Sequence, residues 1–97
     1  MSVLIIFRVA GDSDELLTAY DRTIADSHPS RLGHLMARTE EGMTGIEVWS
    51  SQADLEQFLQ EELPRIFERA DCLEIIPPRV KEVVIAPVHH AYGQLAP

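Results

Sequence analysis

One cysteine, Cys72, is all that the chain contains, so no internal disulfide can brace it, and the composition fits a reducing compartment. Long apolar runs are missing as well. The longest, Val3 to Phe7 and Val83 to Val88, fall far short of the roughly 20 residues that span a bilayer. No basic stretch leads into an apolar one near the start, so no secretory signal is read and a cytoplasmic protein is expected. Basic residues are scarce. Eight Lys and Arg against sixteen Asp and Glu leave a net charge of -8, which repels phosphate backbones and anionic membranes, so neither nucleic acid nor membrane is expected as a partner. G-x-S-x-G, a phosphate-cradling glycine loop and C-x-x-C are all absent, and no cofactor is implied.

What is present reads as one domain over residues 1–90 of the 97, followed by a loosely held tail, 91–97, with Tyr92 and Leu95 as its docking points. Val3 to Val9 is rich in β-branched residues and closes at Gly11, which predicts a strand. Asp12 or Ser13 offers an N-cap, Asp14 and Glu15 suit the positive end of a helix dipole, and Leu16, Leu17, Tyr20 and Ile24 recur at helical spacing. That helix is expected to run to about Asp26, ahead of His28 and Pro29. Leu32 to Thr39 and Gly45 to Trp49 flank Glu40-Glu41-Gly42 as a hairpin. Ser51 and Asp54 resemble a capping box that opens a second helix carrying Leu55, Phe58, Leu59, Ile66 and Phe67. Pro64 cannot donate to the carbonyl of Gln60, so a break is expected near Glu62 and Leu63, with Pro64 opening a short helical piece to Ala70. Pro77 and Pro78 read as an extended linker into a last strand, Lys81 to Val88, where Pro87 suits a sheet edge.

The order βαββαβ predicts an α+β, ferredoxin-like fold: a four-stranded antiparallel sheet with two helices on one face. Two helices cover one face only. Yet the first and last strands are apolar on both sides, Val3, Ile5, Phe7 and Val9 against Leu4 and Ile6, and Val84, Ala86 and Val88 against Val83 and Ile85. Each large aliphatic left in water forgoes about 1.5–3 kcal/mol. A second copy related by a two-fold axis is the cheapest cover, so a homodimer is expected, a dimeric α/β barrel in which each protomer keeps its own helix–sheet cleft.

The passage Gly45-Ile-Glu-Val-Trp-Ser-Ser-Gln-Ala-Asp-Leu-Glu-Gln-Phe58 resembles the strand-into-helix segment of the dimeric α/β-barrel superfamily, which includes the antibiotic-biosynthesis-monooxygenase-like and haem-degrading-monooxygenase-like small proteins. The resemblance covers Val3 to about Val88 and implies the fold and the dimer just described. Members acting on haem or quinone-like substrates commonly carry a histidine on the second helix, about nine residues past the aromatic that ends the third strand. Phe58 stands there in this chain, and no asparagine is present to match the first-strand asparagine of the haem degraders, so haem is not implied as a cofactor. In character the chain is similar to stand-alone members without an assigned activity.

An aromatic wall is what remains for a ligand: Trp49, Phe58, Tyr20 and Phe67. His34, in phase with Met36 on its strand, faces the cleft or the dimer interface and is either a hydrogen-bonded structural residue or a general base. Tyr20 either packs with a wet hydroxyl or hydrogen-bonds a substrate oxygen. Arg8 and Arg38 pair with the surplus carboxylates or pin an anionic group. His89 and His90 are neighbours on a strand and point to opposite faces, so they are poorly placed to share an ion and no metal is expected. Two functions suit this cleft. One is a cofactor-independent monooxygenase-like enzyme acting on a small, flat, apolar aromatic molecule, and the other is a non-catalytic small-molecule-binding or assembly module.

Overall fold

Aliphatic residues with two buried faces belong in the middle of a sheet, and β1 (Val3–Ala10) lies there. In the computed structural model, which describes residues 1–24 and 28–90, it is followed by α1 (Ser13–Thr23), β2 (Arg31–Arg38), β3 (Gly42–Trp49) and α2 (Gln52–Gln57). A π-helical turn over Phe58–Glu62, then α3 (Leu63–Arg69), a 3-10 turn at Pro77–Arg79 and β4 (Val80–Pro87) complete the chain. The sheet is antiparallel throughout in the order β2-β3-β1-β4, so the ferredoxin-like arrangement holds and Pro87 does lie on an edge strand. No helix among the described residues is long and apolar enough to cross a membrane.

Local chemistry accounts for the element ends. Asp12 is the cap of α1, its carboxylate accepting from the Glu15 N–H at 2.9 Å, while Ser13 Oγ donates to the Gly42 carbonyl at 2.8 Å and ties the helix to the β2–β3 turn. Ser51 Oγ accepts from the Asp54 N–H at 3.2 Å to cap α2. The capping box is not reciprocal, however: the Asp54 carboxylate accepts from Ser30 Oγ instead and fastens α2 to the start of β2. Strand β3 begins at Gly42, three residues before the expected Gly45, because Gly42 to Thr44 continue the ladder against Ala10 to Arg8. Glycine is required at 42, where a Cβ would stand 2.2 Å from the Val9 carbonyl oxygen.

Other boundaries also differ from expectation. The first helix stops at Thr23, short of Asp26, which with Ala25 and Ser27 lies outside the described residues. Pro77 and Pro78 form a 3-10 turn and not an extended linker, since the Arg79 N–H donates to the Ile76 carbonyl at 3.0 Å. The expected tail, Tyr92 and Leu95 included, lies outside the described residues.

Register decides which residues share a face. Val3, Ile5, Phe7 and Val9 lie alongside Trp49, Glu47, Gly45 and Met43 and face the helices. They feed two cores. Val9, Leu16, Ala19, Tyr20, Met43, Cys72 and Ile76 form one beneath α1, and Val3, Ile5, Trp49, Leu55, Phe58 and Ile66 form the other beneath α2 and α3. Phe7 packs against both. The opposite face carries the row Leu35–Ile46–Ile6–Val84 and the parallel row Gly33–Val48–Leu4–Ala86, an apolar band four strands wide. Leu35 at one edge is 58% exposed and Val84 at the other 40%. Ile85 is in register with the buried Ile5, yet it stays half exposed because β4 is an edge that the helices do not reach.

Candidate functional site

The seam between the two cores is a cavity of about 250 Å³. Tyr20 and Ile76 line it from one core, Ile5, Phe58 and Ile66 from the other, with Phe7 and Phe67 adding rings. Phe7 has room because Gly45 lies opposite it, where a Cβ would sit 2.3 Å from the ring. The walls are apolar apart from Tyr20, Thr23, Arg31 and Glu47.

The break that Pro64 forces shapes one wall. In an unbroken α-helix Phe58 and Leu63 would point about 140° apart, five steps of roughly 100°. Here the Leu63 N–H bonds to the Phe58 carbonyl, five residues back, so the wider turn brings the two side chains into line and both reach the cavity. Phe58 is then held from behind. Its ring centroid lies 5.0 Å from that of Trp49 and 5.8 Å from that of His28, with the Arg31 guanidinium carbon 5.8 Å away on the cavity side of the sheet. His28 accepts from the Ser30 N–H at Nδ1 and brings Nε2 to 3.4 Å from a Glu62 oxygen, which links the π turn to the entry of β2.

Glu47 is the polar centre of the site. It is buried, two residues before Trp49 on the same side of β3, and accepts from the Trp49 indole N–H at 2.9 Å. Arg31 Nη1, on β2 opposite Trp49, stands 3.6 Å from the second Glu47 oxygen, and only 10% of either side chain is exposed. Beside this pair lies Tyr20. It is 7% exposed, and its hydroxyl is the buried side-chain polar atom left without a hydrogen-bond partner among the described residues. Burial first, and then the Glu47 charge, push its phenol up to about 12, with Arg31 opposing. The hydroxyl is therefore a proton donor across the neutral range. Left unpaired it costs about 1–3 kcal/mol.

Of the residues expected to hold a ligand, Tyr20, Phe58 and Phe67 line the cavity. Trp49 does not. It is wholly buried, its ring supporting Phe58 and its N–H engaged by Glu47, so it stands behind the wall. His34 is also outside the lining. It sits exposed on the edge strand β2, opposite Glu47 in the ladder, with its ring centroid 6.4 Å from that of Tyr20. Arg8 and Arg38 are occupied at the surface, Arg8 near Glu41 and Glu82 and Arg38 at 2.8 Å from Asp14. His89 and His90 are exposed beyond β4. Glu47 and Arg31 were not anticipated. The available signal was Trp49 itself: a tryptophan that must be buried carries residue 47 to the same side of a strand.

No model of a known protein family matches the sequence, and no curated protein does. Solved structures do. A Chloroflexus aurantiacus protein classed as an antibiotic biosynthesis monooxygenase superposes with a TM-score of 0.70 at 21% identity, over 96% of this chain and 98% of that one. SnoaB of Streptomyces nogalater, described as a cofactor-independent oxygenase, gives 0.64 at 19% identity over 93% of each chain. A protein from Mycobacterium tuberculosis gives 0.69 at 17% identity, over 95% of this chain and all of the other. The chain has the antibiotic-biosynthesis-monooxygenase-like fold. At these identities the likeness is one of backbone, and a function has to be argued from the residues of the cavity. Those residues supply a donor at Tyr20, a carboxylate at Glu47 and a cation at Arg31 within apolar walls.

Proposed function

We propose that the cavity binds a small, largely apolar aromatic molecule and that the protein acts on it as a cofactor-independent monooxygenase-like enzyme. One observation carries this: an apolar cavity of about 250 Å³ whose few polar groups include a carboxylate and a buried tyrosine hydroxyl without a partner among the described residues. Such chemistry asks little of a protein. An electron-rich hydroxyarene supplies the electrons itself, so that 1-naphthol and O₂ give 1,4-naphthoquinone and water with no other reductant. The cavity contributes exclusion of water, orientation of the ring against Phe58 and Phe67, and proton handling. In this reading Glu47 takes the hydroxyl proton, Tyr20 donates to the oxygen that loses it, and His34, exposed and in register with Glu47, exchanges the proton with solvent. The fold shared with SnoaB, described as a cofactor-independent oxygenase, is in keeping with this reading.

A second reading is favoured by one specific observation. His34, which the sequence offers as a structural residue or a general base, is outside the cavity, and Glu47 is already engaged by Trp49 and Arg31. A site without a ready base is a binding site, and the protein is then a non-catalytic small-molecule module. Incubation of the purified chain with 1-naphthol under ¹⁸O₂, with no added cofactor, separates the two. Quinone carrying one labelled oxygen supports the enzyme; binding without oxygen uptake selects the module; no binding refutes both.

The apolar band on the open sheet face belongs to the same proposal. Two copies pair across it about a two-fold axis, sheet on sheet, and bury Leu4, Ile6, Ile46 and Val84 together with their counterparts.

A further inference from the structure

Resting on the ligand-binding reading above, we infer that the cavity selects a neutral molecule of one or two fused rings carrying an oxygen that accepts a hydrogen bond, with the Tyr20 hydroxyl as the donor. Three observations lead there. First, among the described residues the polar side chains of the wall are engaged within the protein, with the Tyr20 hydroxyl the exception. Thr23 Oγ1 donates to the Tyr20 carbonyl at 2.7 Å, the Trp49 N–H donates to Glu47, and Arg31 pairs with Glu47. The Tyr20 hydroxyl has no partner among the described residues although it is buried, and what it offers a ligand is a proton.

Second, charge at that end of the cavity is already balanced. The cation at that end, Arg31, stands 3.6 Å from a Glu47 oxygen with 10% of either side chain exposed, so an anionic group placed against the hydroxyl finds that charge already met by a carboxylate. Arg31, held against Glu47 and over the Phe58 ring, does not swing out to receive it without breaking both contacts. A carbonyl, ether or un-ionised phenol oxygen meets neither obstacle.

Third, about 250 Å³ is roughly eight waters' worth of liquid at about 30 Å³ each, and it lies below the roughly 300–1,000 Å³ usual for pockets that hold larger ligands. Two fused rings fill it, and Phe58 and Ile66, packed into a core from behind, resist enlargement for a third.

Titration calorimetry of the full chain with tetralin, 1-tetralone, 1-naphthoate and anthrone, each against wild type and Tyr20→Phe, tests this. Tetralone differs from tetralin by the one acceptor oxygen. It is expected to bind wild type about tenfold more tightly, and that gap closes in Tyr20→Phe while tetralin holds its affinity. Naphthoate and anthrone are expected to bind wild type at least tenfold more weakly than tetralone. If the tetralone preference survives in Tyr20→Phe, or naphthoate or anthrone matches tetralone, the inference is overturned while tetralin binding leaves the ligand-binding reading standing. Failure of tetralin and tetralone alike to bind either protein overturns both.

Discussion

Removing the Glu47 side chain is the most demanding perturbation for this protein, because one carboxylate serves two buried partners. At 3.6 Å from Arg31 Nη1, and with an effective dielectric near 20, the gross attraction is about 4–5 kcal/mol. Desolvation of both charges offsets much of that in the intact pair, so the pair itself adds little. Breaking it is another matter. Glu47→Ala takes the carboxylate away from Arg31, 10% of whose side chain is exposed, and leaves the Trp49 N–H without this acceptor, losses of at most about 3–5 and 1–3 kcal/mol respectively that overlap and do not add. Arg31 keeps its place over the Phe58 ring and is not without other partners, which moves the expected total to about 3–4 kcal/mol. For a domain of this size that is a fall in Tm of about 12–30 °C. Glu47→Gln retains an acceptor for the indole and should lose about half as much. Joint replacement, Arg31→Met with Glu47→Leu, removes both charges and should recover 1–2 kcal/mol relative to Glu47→Ala. Urea unfolding followed by the fluorescence of Trp49, the single tryptophan, reads all three. A loss below 1 kcal/mol in Glu47→Ala, or a joint replacement no more stable than Glu47→Ala, would refute the account of Glu47 as the shared anchor of Arg31 and Trp49.

The open face of the sheet makes a second test. Leu35→Glu with Val84→Glu puts charge at both ends of the apolar row, and sedimentation is expected to shift from two subunits to one at low micromolar protein with far-UV dichroism unchanged. Wild type that sediments as one subunit and binds no hydrophobic dye sinks the pairing. Tyr20 makes the third. Between pH 10 and about 12 the unfolded chain has released the phenol proton while the native state still holds it, so the native state binds more protons and stability falls as pH rises through that window. Tyr20→Phe lacks this component, and the wild-type-minus-variant difference in unfolding free energy should decline over that range; a flat difference would mean that the phenol is not buried as described. Below pH 9 the same variant should match or exceed wild type in ligand-free stability, since the hydroxyl it loses has no partner among the described residues.

Residues acting over short range were legible from the chain alone. The order of elements, a cap at Asp12 or Ser13, the Ser51 cap and the break ahead of Pro64 depend on neighbours a few positions away, and the structure had only to choose Asp12 over Ser13. Apolar residues on both sides of the first and last strands likewise pointed to a sheet with one uncovered face. The expected dimer grew from that pattern and remains to be weighed by sedimentation.

Where side chains end up across the sheet was decided by tertiary register. Alternation groups Glu47 with Trp49, but only the seating of Trp49 against Phe58 and His28 turns that side toward the helices and draws a carboxylate into the core with Arg31 opposite. The same seating removes Trp49 from the wall it was expected to form, and placing β2 at the edge leaves His34 exposed. The cavity has no signature of its own in the chain. It exists because α1 and the α2–α3 layer each close a separate core, and the residues between them, Phe7, Tyr20 and Phe58, come from segments far apart in sequence and meet only when the sheet is assembled.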